Sequence, residues 1–403
     1  MTEPQTVILT TYDDARDAFR RKQLRQALYD EGDVVMADVL VNLHSDEHRS
    51  RRRLENRLFL RATHTRYERD LFPPIVAQTI APHVAAGRAE LVSLSHQMMM
   101  NLAAFAAGVD RPAGSAEESF RLYSYLMRFI EGATLAHYSG DRDAKRAEVA
   151  GVLGDFDREF LVPSITRRRA AIARFEAGDI GADDLPHDVL TVLLRNQDEL
   201  ELAPDVVLRE TCFYLLAGAH TSATAFVRTL HSIFAMASSA PADAERARTD
   251  LSFLQRCVHE TIRLQPSSPV AIRWALDDVE LKSGRRIGQG DRVVIDLMAA
   301  NRDTAVFGVN ADTFDPDRHL PEGVGPWGLS FGLGMHACIG QEMAVGMNSV
   351  GAPPNSDHLY GLVPVAVQAV LMAGGSPDSD EPASLDPGSE RGYWLRYPVV
   401  FAR

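Results

Sequence analysis

Cys338 stands two residues after His336 and four after Gly334, within LSFGLGMHACIGQ (Leu329 to Gln341), with Phe331-Gly332 upstream and Gly340 downstream. A large planar cofactor can reach a cysteine sulfur only past small neighbours. Gly332, Gly334 and Gly340 supply backbone without a Cβ and with free choice of φ. As a thiolate, Cys338 would be a soft axial donor able to push electron density onto a heme iron and favour O–O cleavage. Phe331 would then shield the sulfur. The alternative is a buried, inert cysteine in a glycine-rich turn, since free cysteines are among the most buried residues. Zinc would need about four ligands and iron–sulfur clusters several thiolates, whereas Cys212 and Cys257 lie far off without CxxC partners.

Three further groups must be positioned by helices. In HSDEHRSRRRLENRLF, His48 and Arg52 are four apart and share one helix face, and a guanidinium can pair bidentately with a carboxylate. Arg49, Arg51 and Arg53 are expected on the solvated side, where they could meet an acidic redox protein. Asp205 to Phe234 reads as a long apolar helix with Ala217, Gly218, Thr221 and Ser222 on or near one side. Small side chains there make a groove. Gly218 costs roughly 1 kcal/mol of helix propensity, which is easier to understand if something lies close against it. Thr221 can bond back to the carbonyl four residues earlier and loosen the helix locally. The plainer reading is a helix crossing that uses small residues for close packing. Glu260 and Arg263 are three apart, close enough for an ion pair on one face, although Glu118 with Arg121 and Glu245 with Arg248 repeat that spacing.

The pattern F-G-x-G-x-H-x-C-x-G, matched at Phe331, Gly332, Gly334, His336, Cys338 and Gly340, resembles the heme-ligand signature of the cytochrome P-450 family. Motifs in the family's order extend the resemblance from Tyr12 to Phe401. AGAHTS resembles the oxygen-binding segment, small-Gly-x-acid-Thr-Thr/Ser, with His220 where an Asp or Glu is usual. The sterol 14-demethylase branch also carries His-Thr here. The resemblance assigns Thr221 to hydrogen bonding of dioxygen and the residue before it to proton delivery. Histidine can perform that relay, because its ordinary pKa of about 6.5 allows both states near neutrality. His48 with Arg52 resembles the family's H-x-x-x-R, whose side chains meet heme propionates, and Arg273 and His336 are implied as further propionate partners. Ser267 to Ile272 would pass over the heme as a pocket wall. Glu260 and Arg263 resemble the E-x-x-R pair because Pro266, Pro269 and Arg273 follow in order. Arg318, in F-x-P-x-R after N-R-D, would complete their buried network.

The implied fold is mainly α, a helix-rich domain with a small β lobe and one buried heme between the helix around Gly218 and the Cys338 loop. Residues 1–403 read as a single such domain. The implied activity is that of a soluble, bacterial-type heme-thiolate monooxygenase that holds heme b through Cys338 and hydroxylates an apolar small molecule. Terpenoid, steroid, fatty acid and polyketide substrates all suit it. Electrons would come from a separate ferredoxin or flavodoxin with its reductase. A peroxide-driven peroxygenase or heme-thiolate isomerase is the enzymatic alternative, and a non-catalytic heme carrier or gas sensor the alternative of another class. The chain departs from the family at two places. The several dozen residues usual ahead of Tyr12 are lacking, which implies a more open entrance. The helix expected from Ile339 is ended early by Gly346, Asn348, Gly351, Pro353 and Pro354, so Asn348 to Gly361 reads as an inserted loop before an apolar pattern resumes over Tyr360 to Met372.

Composition sets the remaining bounds. A chain of 403 residues with 45% hydrophobic content can bury a sizeable core. Forty-two basic against 55 acidic residues give a net charge of −13, which disfavours a nucleic-acid surface. Three cysteines suggest a reducing compartment without a disulfide framework. MTEPQTVILTTYDD has no basic n-region and no long apolar run, and Cys212 to Val227 is too short and too interrupted to span a bilayer comfortably, so a cytoplasmic protein is expected. Breaks are expected at Pro73-Pro74, Gly87, Pro112, Pro163, Gly178 and Pro204. Met98, Met99 and Met100 read as core filling, and Arg167-Arg168-Arg169 as a solvated helix face. Leu28, Tyr29, Val34, Val35, Met36 and Leu40 either pack or line a pocket. A closing strand pair is expected over Gly392 to Phe401.

Overall fold

Thr11 begins the first helix as the sequence directs: its hydroxyl accepts the Asp14 N–H, and Asp13 and Asp14 face the positive helix end. The computed structural model describes residues 4–348, 357–387 and 391–402. Its elements open with β1 (Thr6–Leu9), α1 (Tyr12–Arg20), β2 (Leu24–Gln26), α2 (Asp33–Met36), α3 (Ser45–Glu55), α4 (Arg61–Arg66), α5 (Phe72–Ala86) and β3 (Arg88–Glu90). Helices then dominate: α6 (Leu91–Ala107), α7 (Ala116–Ala133), α8 (Arg142–Phe156), α9 (Val162–Glu176), α10 (Val189–Arg195), α11 (Pro204–Ser239), α12 (Pro241–Thr249) and α13 (Leu251–Leu264). Next come β4 (Val270–Ala275), β5 (Val279–Glu280), β6 (Arg286–Ile287), β7 (Arg292–Asp296), α14 (Leu297–Ala300) and α15 (Thr304–Phe307). The chain closes with α16 (Gln341–Val345), α17 (Leu362–Met372), β8 (Gly375–Pro377), β9 (Ser384–Leu385), β10 (Trp394–Arg396) and β11 (Pro398–Phe401). The mainly helical class with small sheets is as expected. Among the described residues no helix is long and apolar enough to cross a membrane.

Two expected breaks are absent. Pro73 and Pro163 each withhold the N–H that a regular helix requires, yet the helix continues, because a five-residue π turn precedes each proline, at Tyr67–Leu71 and Asp157–Leu161. The expected strand pair at the C-terminus is also corrected. β10 pairs with β9, whereas β11 lies between β3 and β8.

Contacts divide the chain into two units, one of Met1–Leu28, Arg61–Ser95 and Thr221–Arg403, the other of Tyr29–Leu60 and His96–His220. Among the described residues the first holds every strand. Its four-stranded sheet runs β1-β7-β4-β2, with β1 parallel to β7 and the other pairs antiparallel. Leu9, Ala15, Phe19, Val293 and Ile295 pack α1 against this sheet.

A buried charge network ties that sheet region to the chain entering the cysteine loop. The Arg263 guanidinium is fully buried, and it donates twice to Glu260 at 2.7 Å and to the Asn301 and Ala311 carbonyls at 2.6 and 2.9 Å. Arg318 joins the same carboxylate at 3.2 Å. The Asn301 amide donates to the Arg263 carbonyl and to the Ser330 hydroxyl, and its oxygen accepts the Leu329 N–H at 2.7 Å. The cysteine loop is thus fastened at its root.

After the loop, α16 ends at Gly346, as the sequence indicates. Of the segment read as an insertion, residues 349–356 lie outside the described residues. Its two ends are bound together. Gly346 (φ +75°) and Gly361 (φ +90°) lie backbone to backbone, so that a Cβ on either would collide with the other's strand of chain. The Gln255 amide sits within 2.9–3.4 Å of the Val345, Met347, Leu359 and Tyr360 carbonyls. Glu68 accepts the Tyr360 and Gly361 N–H groups at 3.0 and 2.7 Å.

In the second unit α3 is held to α11 by a buried polar cluster. Arg51 pairs with Glu210 at 2.8 Å, Glu210 also accepts the Leu40 N–H, and the Tyr214 hydroxyl donates to Glu55 at 2.5 Å. Arg51 is therefore buried, not on the solvated side as expected. Arg168 is a like correction: it is buried against Asp188 and Asp110, while Arg167 and Arg169 are exposed. In both cases the helix turns the middle arginine inward, toward a carboxylate distant in sequence. Met98, Met99 and Met100 are core, as are Leu28, Val35, Met36 and Leu40.

Burial, then the charge of Glu210, pushes the Glu55 carboxyl well up, and burial pushes Glu210 up to about 7 against the pull of Arg51 and the Leu40 N–H. Both hold a proton more tightly folded than unfolded, so their contribution to stability is greatest at acid pH and declines as the pH rises toward 7 and beyond. Melting followed by circular dichroism from pH 5 to 8 should show this fall. Glu55→Gln should flatten it and raise the melting temperature at pH 8. In the first unit, Glu260→Gln leaves two buried guanidiniums without their carboxylate and should cost about 3–5 kcal/mol in urea unfolding.

Candidate functional site

The Cys338 loop takes its shape from its glycines. Gly332 and Gly334 have φ of +63° and +71°, values that side chains resist. At Gly334 a Cβ would also come within 2.6 Å of the Phe19 carbonyl oxygen. The chain turns far enough for the Cys338 N–H to donate to the Phe331 carbonyl at 2.8 Å. Phe331 meets Trp327 edge-on with ring centroids 5.8 Å apart, and Trp327 meets His259 likewise at 5.2 Å.

The result is an exposed Cys338, whereas Cys212 and Cys257 are buried. Burial pushes the thiols of those two well above their ordinary range, so they stay protonated and inert. Gly340 differs from the other loop glycines. Its φ of −94° suits any residue, and a Cβ there would meet nothing within 4 Å. No neighbouring protein atom among the described residues demands glycine at this position, but a broad group lying against the sulfur would.

His336 ends the short turn Gly334–His336 and is half-buried. Arg273, in the middle of β4, is 5% exposed. Its guanidinium bonds to the Gln26 side chain, donates to the Ile272 carbonyl at 2.9 Å and lies 5.3 Å from the centroid of the Phe19 ring. The same ring would lie 3.7 Å from a Cβ on Gly332. Phe19 and Gln26 thus join Arg273 to the cysteine loop. Sequence reading missed both, since Phe19 carries no signal beyond the apolar face of α1.

On α11 the buried side chains of Leu215 and Leu216 and of Ala223 to Leu230 flank a short opening. Within it Gly218 and Thr221 are exposed, and Ala217, His220 and Ser222 are half-buried. The helix crossing is present, because a Cβ on Gly218 would lie 3.1 Å from the Ala103 Cβ of α6. His220 Nδ1 is 3.2 Å from Nε2 of His96, a contact that sequence spacing gives no hint of. The Ser267 hydroxyl donates to the Thr221 carbonyl at 3.0 Å.

His48 and Arg52 lie on α3, His48 buried and Arg52 half-buried. Burial, then the positive charge of Arg52 and His44, holds the His48 imidazole down to about 4, so it is neutral at pH 7. The predicted residues divide between the units. His48, Arg52, Ala217, Gly218 and His220 belong to the second, and Thr221, Glu260, Arg263, Arg273, Arg318, Phe331, Gly332, His336, Cys338 and Gly340 to the first.

The donor set suits a large iron chelate taking one protein sulfur. Among the described residues no group of three or more His, Cys, Asp or Glu is placed to hold a bare metal ion.

Comparison with known proteins agrees. The family model described as Cytochrome P-450 matches residues 237–350, the stretch holding Glu260, Arg263, Arg273, Arg318 and the Cys338 loop. Cytochrome P-450-terp of a Pseudomonas species is 36% identical over 108 residues, 26% of this chain and 23% of that protein. Probable cytochrome P-450 313a5 of Drosophila melanogaster is 25% identical over 242 residues, 56% of this chain and 44% of that protein. The chain spans between 21% and 44% of the length of the curated relatives it matches. Two solved structures share the fold. CalO2 superposes with a TM-score of 0.72 at 18% identity, covering 98% of this chain and 90% of that one. CYP109E1 from Bacillus megaterium, solved in complex with corticosterone, gives 0.71 at 16% identity, covering 98% and 92%. The family model thus matches the stretch that holds the Cys338 loop, and the fold is shared with solved cytochrome P-450 structures over nearly the whole length.

Proposed function

We propose that the protein is a heme-thiolate monooxygenase that hydroxylates an apolar small molecule with electrons from a separate ferredoxin or flavodoxin and its reductase. The observation that carries this reading is the exposed Cys338 thiol in a loop shaped by Gly332 and Gly334, beside a Gly340 with open space at its Cβ position. Heme b, when bound through Cys338, supplies activation of dioxygen and transfer of one oxygen atom to substrate. Each hydroxylation consumes one dioxygen, two electrons and two protons and releases one water.

The chain's own residues have distinct tasks in this scheme. Phe331 shields the sulfur. Arg52 and Arg273 offer charge to the propionates, while His48, neutral near pH 7, and His336 offer ring N–H groups. The Thr221 hydroxyl donates a hydrogen bond to oxygen, and His220 delivers protons. Terpenoid, steroid, fatty acid and polyketide substrates all suit an apolar pocket. Corticosterone in the CYP109E1 complex and the hexadec-9Z-enoic acid ligated acyl carrier protein bound to P450BioI are two such classes among structural neighbours. One observation favours a second reading, a peroxide-driven peroxygenase: His220 stands where the family carries an acid. Turnover with hydrogen peroxide alone, at a rate matching the ferredoxin-driven one, would support it.

The first test is the absorption spectrum of the dithionite-reduced, carbon monoxide-bound protein. A Soret band strongly shifted to the red is expected, and Cys338→Ser should abolish the shift; a band at the imidazole-ligated position in the unmodified protein would refute the thiolate. Gly340→Val should leave the melting of the heme-free protein unchanged while weakening hemin binding about tenfold, or about 1.4 kcal/mol. Thr221→Ala should divert most electrons to peroxide or water and cut product per electron pair about tenfold or more, positioned proton transfer being worth roughly 10²–10⁴.

A further inference from the structure

His96 lies on α6 and has no task in the scheme above. It is 6% exposed, and its Nε2 is 3.2 Å from Nδ1 of His220 on α11. The two rings are tilted by 27° with centroids 5.5 Å apart. The approach of the helices is permitted by small residues. Ala103, seven residues after His96 and so on the same face of α6, occupies the space that a Cβ on Gly218 would enter.

A hydrogen bond between two neutral imidazoles joins one N–H to one bare nitrogen, so it fixes both tautomers at once. If His96 carries its proton on Nε2, His220 accepts at Nδ1 and keeps its own proton on Nε2. The reverse arrangement puts both protons on Nδ1, the less favoured site of a free histidine side chain. The first arrangement leaves both rings in their preferred form. Two imidazolium ions at this distance would repel, so at most one ring is charged.

We propose that His96 is a positioning residue for His220: its Nε2–H holds His220 as the Nε2–H tautomer, so that the residue before Thr221 presents a proton donor where an ionised carboxylate would only accept. The proposal rests on the reading of His220 as the proton-delivering residue. It also gives a task to a buried imidazole on α6.

Nitrogen NMR of histidine-labelled holoprotein in its reduced, carbon monoxide-bound form at pH 8.5 reads the tautomers directly, with His220→Gln identifying the His220 signals. A protonated Nε2 and a hydrogen-bonded bare Nδ1 are expected for His220. In His96→Leu the Nδ1 signal should move to the position of an unbonded nitrogen, and peroxide released per electron pair should rise several-fold. His96→Gln, whose amide N–H falls where Nε2–H was, should restore both to within about twofold of the unmodified protein. A proton on His220 Nδ1 in the unmodified protein would overturn the proposal. So would a His220 spectrum indifferent to His96→Leu, or a folded His96→Gln that behaves as His96→Leu does. Should His96→Leu fail to fold, the unmodified spectrum and His96→Gln still decide. Failure of the oxygenase reading would show separately, as a carbon monoxide spectrum without the red shift, and the tautomers can then be read in the heme-free protein.

Discussion

The fully buried Arg263 guanidinium is the constraint on which the first unit depends. Removing such a cation from water costs several kcal/mol unless a carboxylate and further acceptors surround it. Here Glu260, the Asn301 carbonyl and the Ala311 carbonyl do so. Each acceptor belongs to a different stretch, so the end of α13, the turn after α14 and the chain beyond α15 cannot drift without exposing charge. Asn301 carries the constraint onward through Leu329 and Ser330. Gly328 (φ +61°) is then obliged to be glycine, because a Cβ there would overlap the Asn301 side chain. The geometry of the thiol loop is therefore inherited from an electrostatic demand that has no chemistry of its own.

The second unit repeats the logic with different residues. Arg51 with Glu210, and Arg168 with Asp188 and Asp110, are buried pairs whose loss would strand a charge. The Glu55–Tyr214 contact places a carboxyl and a phenol on the same two helices as Arg51 and Glu210. His48 and Arg52 ride on a helix whose rotation is thereby fixed. The propionate contacts proposed for this face would need such a fixed register, since a turn of α3 by one residue would move both side chains away together.

How far the sequence foretold this depended on whether the partner of each residue was near it in the chain. The glycine-rich cysteine loop, the pairing of Glu260 with Arg263, the opening in α11 and the early end of α16 were all legible, because each is written within a dozen residues. The buried arginines were not. RSRRR and RRR look like solvated faces until a carboxylate 159 or 20 residues away is brought to the middle guanidinium. Phe19, Gln26 and His96 went unseen for the same reason, their meaning lying wholly in tertiary contacts. The prolines erred in the opposite direction: Pro73 and Pro163 suggested helix ends, but a π turn absorbed the missing N–H.

The meeting of Gly346 with Gly361 has an entropic consequence. A segment whose two ends already touch is a closed loop, and the cost of closing such a loop grows only with the logarithm of its length, about 0.6 kcal/mol for each doubling. Gln255 and Glu68 offset that cost at the neck, outside the loop itself. Closure therefore sets only a weak limit on the length of chain that joins those ends while α16 and α17 keep their places. The neck is a point at which the chain can accept added length without disturbing the thiol that precedes it.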